Sequence, residues 1–280
     1  MRKLPLALVV LVALALATPA SASTFKLDEF AITKNNTIIF DDGFTDGAAP
    51  PSAPNFSNGA AASYGVQGTF PSGSEAGGFL TLDTARGILG PNSAGLARIL
   101  NGAVLATPTN GPNSLTRADV IDVEGQFLLQ TPVGPLFNAY GIEVGNFGSV
   151  APLRFVQLVV AYDPVSGLTG IAYVLQDYST NTATVLGTAA LAAPAGANEI
   201  ALGITRPNTT NNNFVASWVY FNGSTNLGSG SFSTPAALFQ SDDFVRGHFF
   251  AVSAVPEPAS LALAGLALAG LAVARRRIPN

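Results

Sequence analysis

The stretch RFVQLVVAYDPVSGLTGIAYVLQDY, residues 154–178, limits the fold more than any other part of this chain. Two runs rich in β-branched and aromatic residues flank Asp163-Pro164-Val165-Ser166-Gly167. Proline presets φ for a turn, and glycine supplies the positive φ from which the chain returns. A β-hairpin is therefore predicted. Similar short runs bounded by Gly, Pro, Asn or Asp recur at 37–40, 64–70, 79–83, 120–129, 155–162, 171–177, 200–206, 214–221 and 248–252. Asn222-Gly223 marks a second turn, with a return strand expected after it. Within 120–129, Val123 and Phe127 alternate with Asp122 and Glu124, the pattern of a half-buried strand.

No amphipathic helix accompanies these strands. Only 11% of the residues are charged, while glycine (29) and proline (19) are plentiful, which favours turns and short strands over surface helices. Hydrophobic residues make up 48% of the chain, enough for a core, and without cysteine that core must hold by burial alone. The Pro-rich stretches 43–62 and 105–113 are loops, too short and too weakly charged to be linkers, and no repeat of 20 to 50 residues is present. One domain over 23–254 is expected. Its fold class is all-β, an antiparallel two-sheet sandwich of jelly-roll type.

The two ends read differently from the body. Met1-Arg2-Lys3, an apolar middle and Ala20-Ser21-Ala22 form a secretory signal peptide over 1–22, with cleavage after Ala22 at an A-x-A site and export by the Sec machinery. At the other end, Val255-Pro256-Glu257-Pro258 precedes a sixteen-residue apolar run, 259–274, and then Arg275, Arg276 and Arg277. The run has no polar face, so it reads as a membrane segment and not as a core-facing helix. As a helix it spans about 24 Å against a hydrocarbon core of about 30 Å, short for a permanent anchor. The arginines act as a stop that holds the terminus in the cytoplasm. A signal helix and a transmembrane helix are thus expected to flank the sandwich.

The triplet Pro256-Glu257-Pro258, the apolar run and the arginine cluster together resemble the PEP-CTERM sorting signal of Gram-negative bacteria. The resemblance implies export, transient membrane retention through 259–274, and processing near the triplet by an exosortase, a membrane cysteine protease-transpeptidase. It implies delivery to the cell surface or the extracellular matrix and says nothing about the body. Separately, Phe40-Asp41-Asp42-Gly43-Phe44-Thr45-Asp46-Gly47, then YGVQGTF at 64–70 and GFLTLD at 78–83, resemble the opening of concanavalin A-like or laminin G-like domains.

Charge narrows the partners. Between Ser23 and Ala254, eight basic residues stand against sixteen acidic ones, a net charge of −8, which argues against nucleic acid. Retaining glucanases on the jelly-roll fold resemble E-x-D-x-E on one strand, and here Val120 occupies the nucleophile position ahead of Asp122 and Glu124. The single histidine, His248, lies in an apolar strand, with no Gly-x-Ser-x-Gly elbow to present a nucleophile. One histidine without cysteine is too few ligands for zinc. Calcium needs only oxygen ligands, and Asp41, Asp42, Asp242 and Asp243 are its candidates if the first and last strands are neighbours. Trp218 and Tyr220, on one face of 214–221, are candidate platforms for an exopolysaccharide glycan, or else a core pair. The expectation is a non-enzymatic structural or adhesive protein without a required cofactor, with a lectin-like module and an unrecognised glycoside hydrolase as alternatives.

Overall fold

The computed structural model describes residues 23–47, 51–90, 98–134, 137–145, 154–165, 167–177, 180, 182–239 and 244–254. The signal segment with Ala20 and Ala22, and the tail beyond Ala254 with its triplet, apolar run and arginines, lie outside these residues, as do the two helices expected there. Among the described residues no helix is long and apolar enough to cross a membrane.

The strands are β1 (Thr24–Lys34), β2 (Thr37–Asp42), β3 (Tyr64–Gln67), β4 (Leu80–Asp83), β5 (Ile88–Gly90), β6 (Arg98–Leu105), β7 (Leu115–Thr116), β8 (Ile121–Leu128), β9 (Asn138–Gly145), β10 (Arg154–Asp163), β11 (Leu168–Asp177), β12 (Thr182–Ala190), β13 (Glu199–Arg206), β14 (Asn213–Asn222), β15 (Thr225–Ala237) and β16 (Phe244–Ala254). Two antiparallel sheets result, as expected. Sheet I runs β15-β14-β13-β8-β1-β2, with β4 also on β1. Sheet II runs β12-β11-β10-β9-β16-β6-β3, with β5 also on β6 and β7 on β16. Strands β9 to β12 form one meander and β13 to β15 another, and β16 returns to the middle of sheet II between β9 and β6.

Turn chemistry sets the registers. In the β10–β11 hairpin, Asp163 pairs with Leu168, the Asp163 carboxylate accepts from the Val165 amide at 3.0 Å, and Gly167 takes φ +72. Asn222 pairs with Thr225 around Gly223 at φ +56. The β1–β2 hairpin turns on Asn35 and Asn36 at φ 51 and 64, the left-handed pair that a two-residue hairpin favours. The Asn35 side chain then bridges to the segment leading into β8 by accepting from Val120 N at 2.8 Å and donating to Asp119 at 3.0 Å.

The core fills the space between the sheets by strict alternation. In β8, Ile121, Val123 and Phe127 are fully buried, while Asp122 and Glu124 face out. Gly125 occupies an inward position because a Cβ there would lie 2.6 Å from Ile142 Cγ2 of the opposite sheet. The Phe249 ring of β16 meets Phe30, Tyr64 and Phe44 at 5.1, 5.4 and 5.7 Å, all edge-on, and so ties β1, β3 and the β2 exit together. At one end of the core, Arg206 is 1% exposed yet satisfied: it donates to Asp119 O at 2.5 Å and to Asn211 O at 2.8 and 3.1 Å, beside the Phe239 ring.

Because side-chain direction alternates and only one face of sheet I is deeply buried, one position in two of strands such as β8 and β14 should carry the stability. Phe127→Ala is expected to cost about 3–5 kcal/mol in denaturant unfolding. Val219→Ala, on the half-buried outward side of β14, should stay within about 1 kcal/mol. Equal losses at the two sites would contradict the inward and outward assignment.

Candidate functional site

The outer faces of the two sheets have opposite character, and most of the candidate residues lie on one of them. The outer face of sheet I is acidic. Asp28, Glu29, Asp41, Asp122, Glu124 and Glu199 share it, and Gln126 bridges Glu199 at 2.8 Å and Asp28 at 3.3 Å. Burial among neighbouring side chains, then mutual repulsion, raises the carboxyls of Asp28 and Glu29. The same causes, with Asp122 and Glu29 as the repelling charges, push Glu124 up to about 7. Asp122 accepts from Thr205 at 2.8 Å, which offsets part of its own rise.

This geometry does not build a glucanase pair. The residues directly across from Glu124 are Ala31 and Gly203, neither of them a carboxylate. Val120, in the nucleophile's place, precedes the strand and gives its amide to Asn35.

The calcium candidates are separated by the same alternation. Asp41 faces water, whereas Asp42 turns inward, 7% exposed, and accepts from Phe44 N at 2.9 Å and Tyr64 Oη at 2.8 Å. Neighbours on opposite faces of one strand cannot ligate one ion together. Asp242 and Asp243 lie outside the described residues. No group of three His, Cys, Asp or Glu side chains among the described residues is arranged to hold a metal. The sequence reading missed Glu75, which is 3% exposed and accepts from the Asp46 and Gly47 amides at 3.0 and 3.2 Å. Burial and the facing Asp46 carboxyl push it up to about 7.

Of the two readings of Trp218 and Tyr220, a sugar platform or a core pair, the fold shows the core pair. Both sit on the inward face of β14, and Tyr220 is 4% exposed. The Trp218 ring packs on Phe232 at 5.0 Å, and Phe232 stacks on Tyr173 at 6.0 Å, a seam joining the free edges of the two sheets. Gly230 and Gly187 leave the room: a Cβ would come within 2.2 Å of Trp218 at the first and 2.4 Å of Phe232 at the second. A depression of approximately 150 Å³, lined by Thr69, Ser74, Thr81, Asp83 and Arg86 among others, is below the roughly 300–1,000 Å³ of small-molecule sites.

The outer face of sheet II is apolar with one polar row. Ala139, Val159, Ala161, Ala172, Phe250 and Val252 form a second buried cluster on the side away from the core. Beside it, His248, Glu143 and Gln157 stand in register across β16, β9 and β10. Glu143 is 5% exposed; one oxygen meets His248 Nδ1 at 3.2 Å and the other accepts a short bond from Gln157 Nε2. Gln176 donates to Gln157 at 3.5 Å, and His248 stacks on Phe250 at 5.3 Å. The histidine is thus packed between the Glu143 carboxylate and the Phe250 ring. The signal for Glu143 was present in NAYGIEVG, where it alternates outward with Ala139 and Gly141.

Set beside known proteins, the chain carries the PEP-CTERM protein-sorting motif at residues 254–277. The match begins at Ala254, the last residue of β16. That motif makes the chain an exported protein, sorted to the surface through exosortase processing. No curated protein and no solved structure matches it.

The raised carboxyls give a pH signature. Glu124 titrates near 7 in the folded chain and near 4.5 when unfolded, so its ionisation costs stability as pH rises between those values. Glu124→Gln should raise the melting temperature at pH 8 and leave it unchanged at pH 4. A mutant no more stable than wild type at pH 8 would contradict the crowded acidic face.

Proposed function

We propose that the β-sandwich of this PEP-CTERM-bearing chain is a structural or adhesive part of the cell surface or extracellular matrix, with no catalysis of its own. The observation that carries this reading is the sorting motif joined directly to the last strand of the sandwich: the body is delivered without a stalk. The candidate chemical groups support it. Asp122 and Glu124 lie in a mutually repelling acidic face, His248 is held by Glu143, and Asp42 is spent on Phe44 and Tyr64. The lectin-like alternative loses its two aromatic candidates to the core. A jelly-roll plan of the concanavalin A-like kind belongs to the same reading. It is supported by β8 and β16, which return to the sheet centres, β8 between β13 and β1 and β16 between β9 and β6.

The tail would act in sequence: the apolar run and arginines hold the exported body at the membrane, and cleavage near Pro256-Glu257-Pro258 releases it. Replacing all three residues with alanine should leave a full-length precursor in the membrane fraction on an immunoblot. Normal processing of that variant would exclude exosortase recognition. To test the body separately, the same tail fused to an unrelated β domain should restore sorting but not cell cohesion in a strain lacking this protein. Restored cohesion would show that the sandwich has no adhesive role.

A further inference from the structure

The sheet edges end differently on the two sides of the sandwich. A free strand edge offers backbone N–H and C=O groups to any extended chain, and proteins guard such edges with short strands, charges, prolines or bulges. One side is guarded throughout. There sheet I ends in β2, six residues with Asp41 and Asp42, and in the four-residue β4, while sheet II ends in β3 and β5, of four and three residues. On the other side the edges are long. β15 runs thirteen residues, with Pro235 and two breaks of register against β14. β12 runs nine, has neither charge nor proline, and is exposed from Thr182 to Val185, with Val185 itself 61% exposed. Those four residues pair without interruption to Asp177 through Val174 of β11, the one register break coming after Val185. Among the described residues no strand pairs the outer side of β12.

Charge draws the same line. Residues 178–198 and 207–241, which include β12, β14 and β15, hold no charged side chain, so all eight basic and sixteen acidic residues of the body lie elsewhere.

We propose that β12 is a homophilic contact: two copies of this chain join their β12 strands antiparallel about a two-fold axis and so fuse sheet II of one copy with sheet II of the other. The inference deepens the structural or adhesive reading above, on which it rests, by naming the partner as a second copy.

Three observations select that partner. The first is symmetry. An antiparallel pair of identical strands is self-complementary about a two-fold axis, and the uncharged Thr, Ala and Val side chains of β12 let the edge meet its own image. The second is charge. Copies of a body with a net charge of −8 repel one another over most of their surface, and the β12 side is where those charges are absent. A basic partner would be drawn to the acidic face of sheet I instead. The third is the neighbouring edge. The seam of Trp218, Phe232 and Tyr173 holds β15 beside β12, and a two-fold axis perpendicular to the sheets sets β15 next to β15 in the same contact, again without a charge. Val185, which pairs with Val174 at the border of the outer apolar cluster, is then covered by the second copy.

The test takes the processed protein from the cells that express it and reads its sedimentation over a concentration series up to the solubility limit. Wild type should form a reversible dimer. Val185→Lys should weaken that dimer at least about tenfold, because like charges then face each other across the axis, whereas Ile38→Lys on β2, 54% exposed, should leave it unchanged. Mixing Val185→Lys with Val185→Glu should restore association that neither shows alone. Thr188→Lys replaces Val185→Lys should the latter lower the melting temperature. The chain has no cysteine, so single cysteines placed along 182–190 report the register: oxidation should give a disulfide dimer at one or two adjacent positions and none at Ile38→Cys. A wild type that stays monomeric, a dimer that survives Val185→Lys, or equal cross-linking at Ile38→Cys overturns the proposal. So does a different protein that occupies β12 while this chain remains monomeric. Association is read in solution and cohesion in cells, so failure of the β12 contact and failure of the adhesive reading are told apart.

Discussion

Phe249 and Ala251 of β16 point into the core, while His248, Phe250 and Val252 point out of it, and all five are buried. A strand buried on both faces belongs in the interior of its sheet and not at an edge. The neighbouring strands arrange themselves around that requirement. Sheet I lies on the Phe249 side and brings Phe30 and Phe44 against it, and Gly247 keeps the approach short, since a Cβ there would come 3.0 Å from the Phe30 ring. The long return from β15 to β16 makes sense in the same terms. Only a central position satisfies the run FFAV, so the last strand inserts between β9 and β6, although the meanders before it simply add neighbours.

Much of this architecture was legible because it depends on period-two alternation and turn chemistry. The Asp163 to Gly167 hairpin, the Asn222-Gly223 turn and the half-buried β8 follow directly from local sequence. β1 escaped notice for a physical reason. Its apolar set, Phe25, Leu27, Phe30 and Ile32, breaks step at the bulge between Leu27 and Glu29, so the alternation fails in sequence though it holds in space. β12 was hidden differently: as an edge strand made largely of Thr and Ala, it owes its conformation to its neighbour, and β15, similar in composition, was signalled only by the turn before it. β9 reads weakly because glycines interrupt it, yet it is buried along its whole length.

The candidate site was less legible, since a sequence gives side-chain types without saying which face they share. Asp41 and Asp42 looked like a ligand pair and point opposite ways; Trp218 and Tyr220 do share a face, but it is the core face. Glu143, Gln157 and His248 are scattered over 106 residues and meet only because β16 returns beside β9. Long-range pairing of that kind leaves no local trace.

The contrast between the outer faces gives the body a polarity that neither sheet has alone. Six carboxylates crowd the far side of sheet I, and apolar rows line the far side of sheet II. Salt therefore acts on the two sides differently: it screens the crowded carboxylates of sheet I over roughly a Debye length, about 8 Å at physiological strength, and leaves the apolar rows of sheet II as they are.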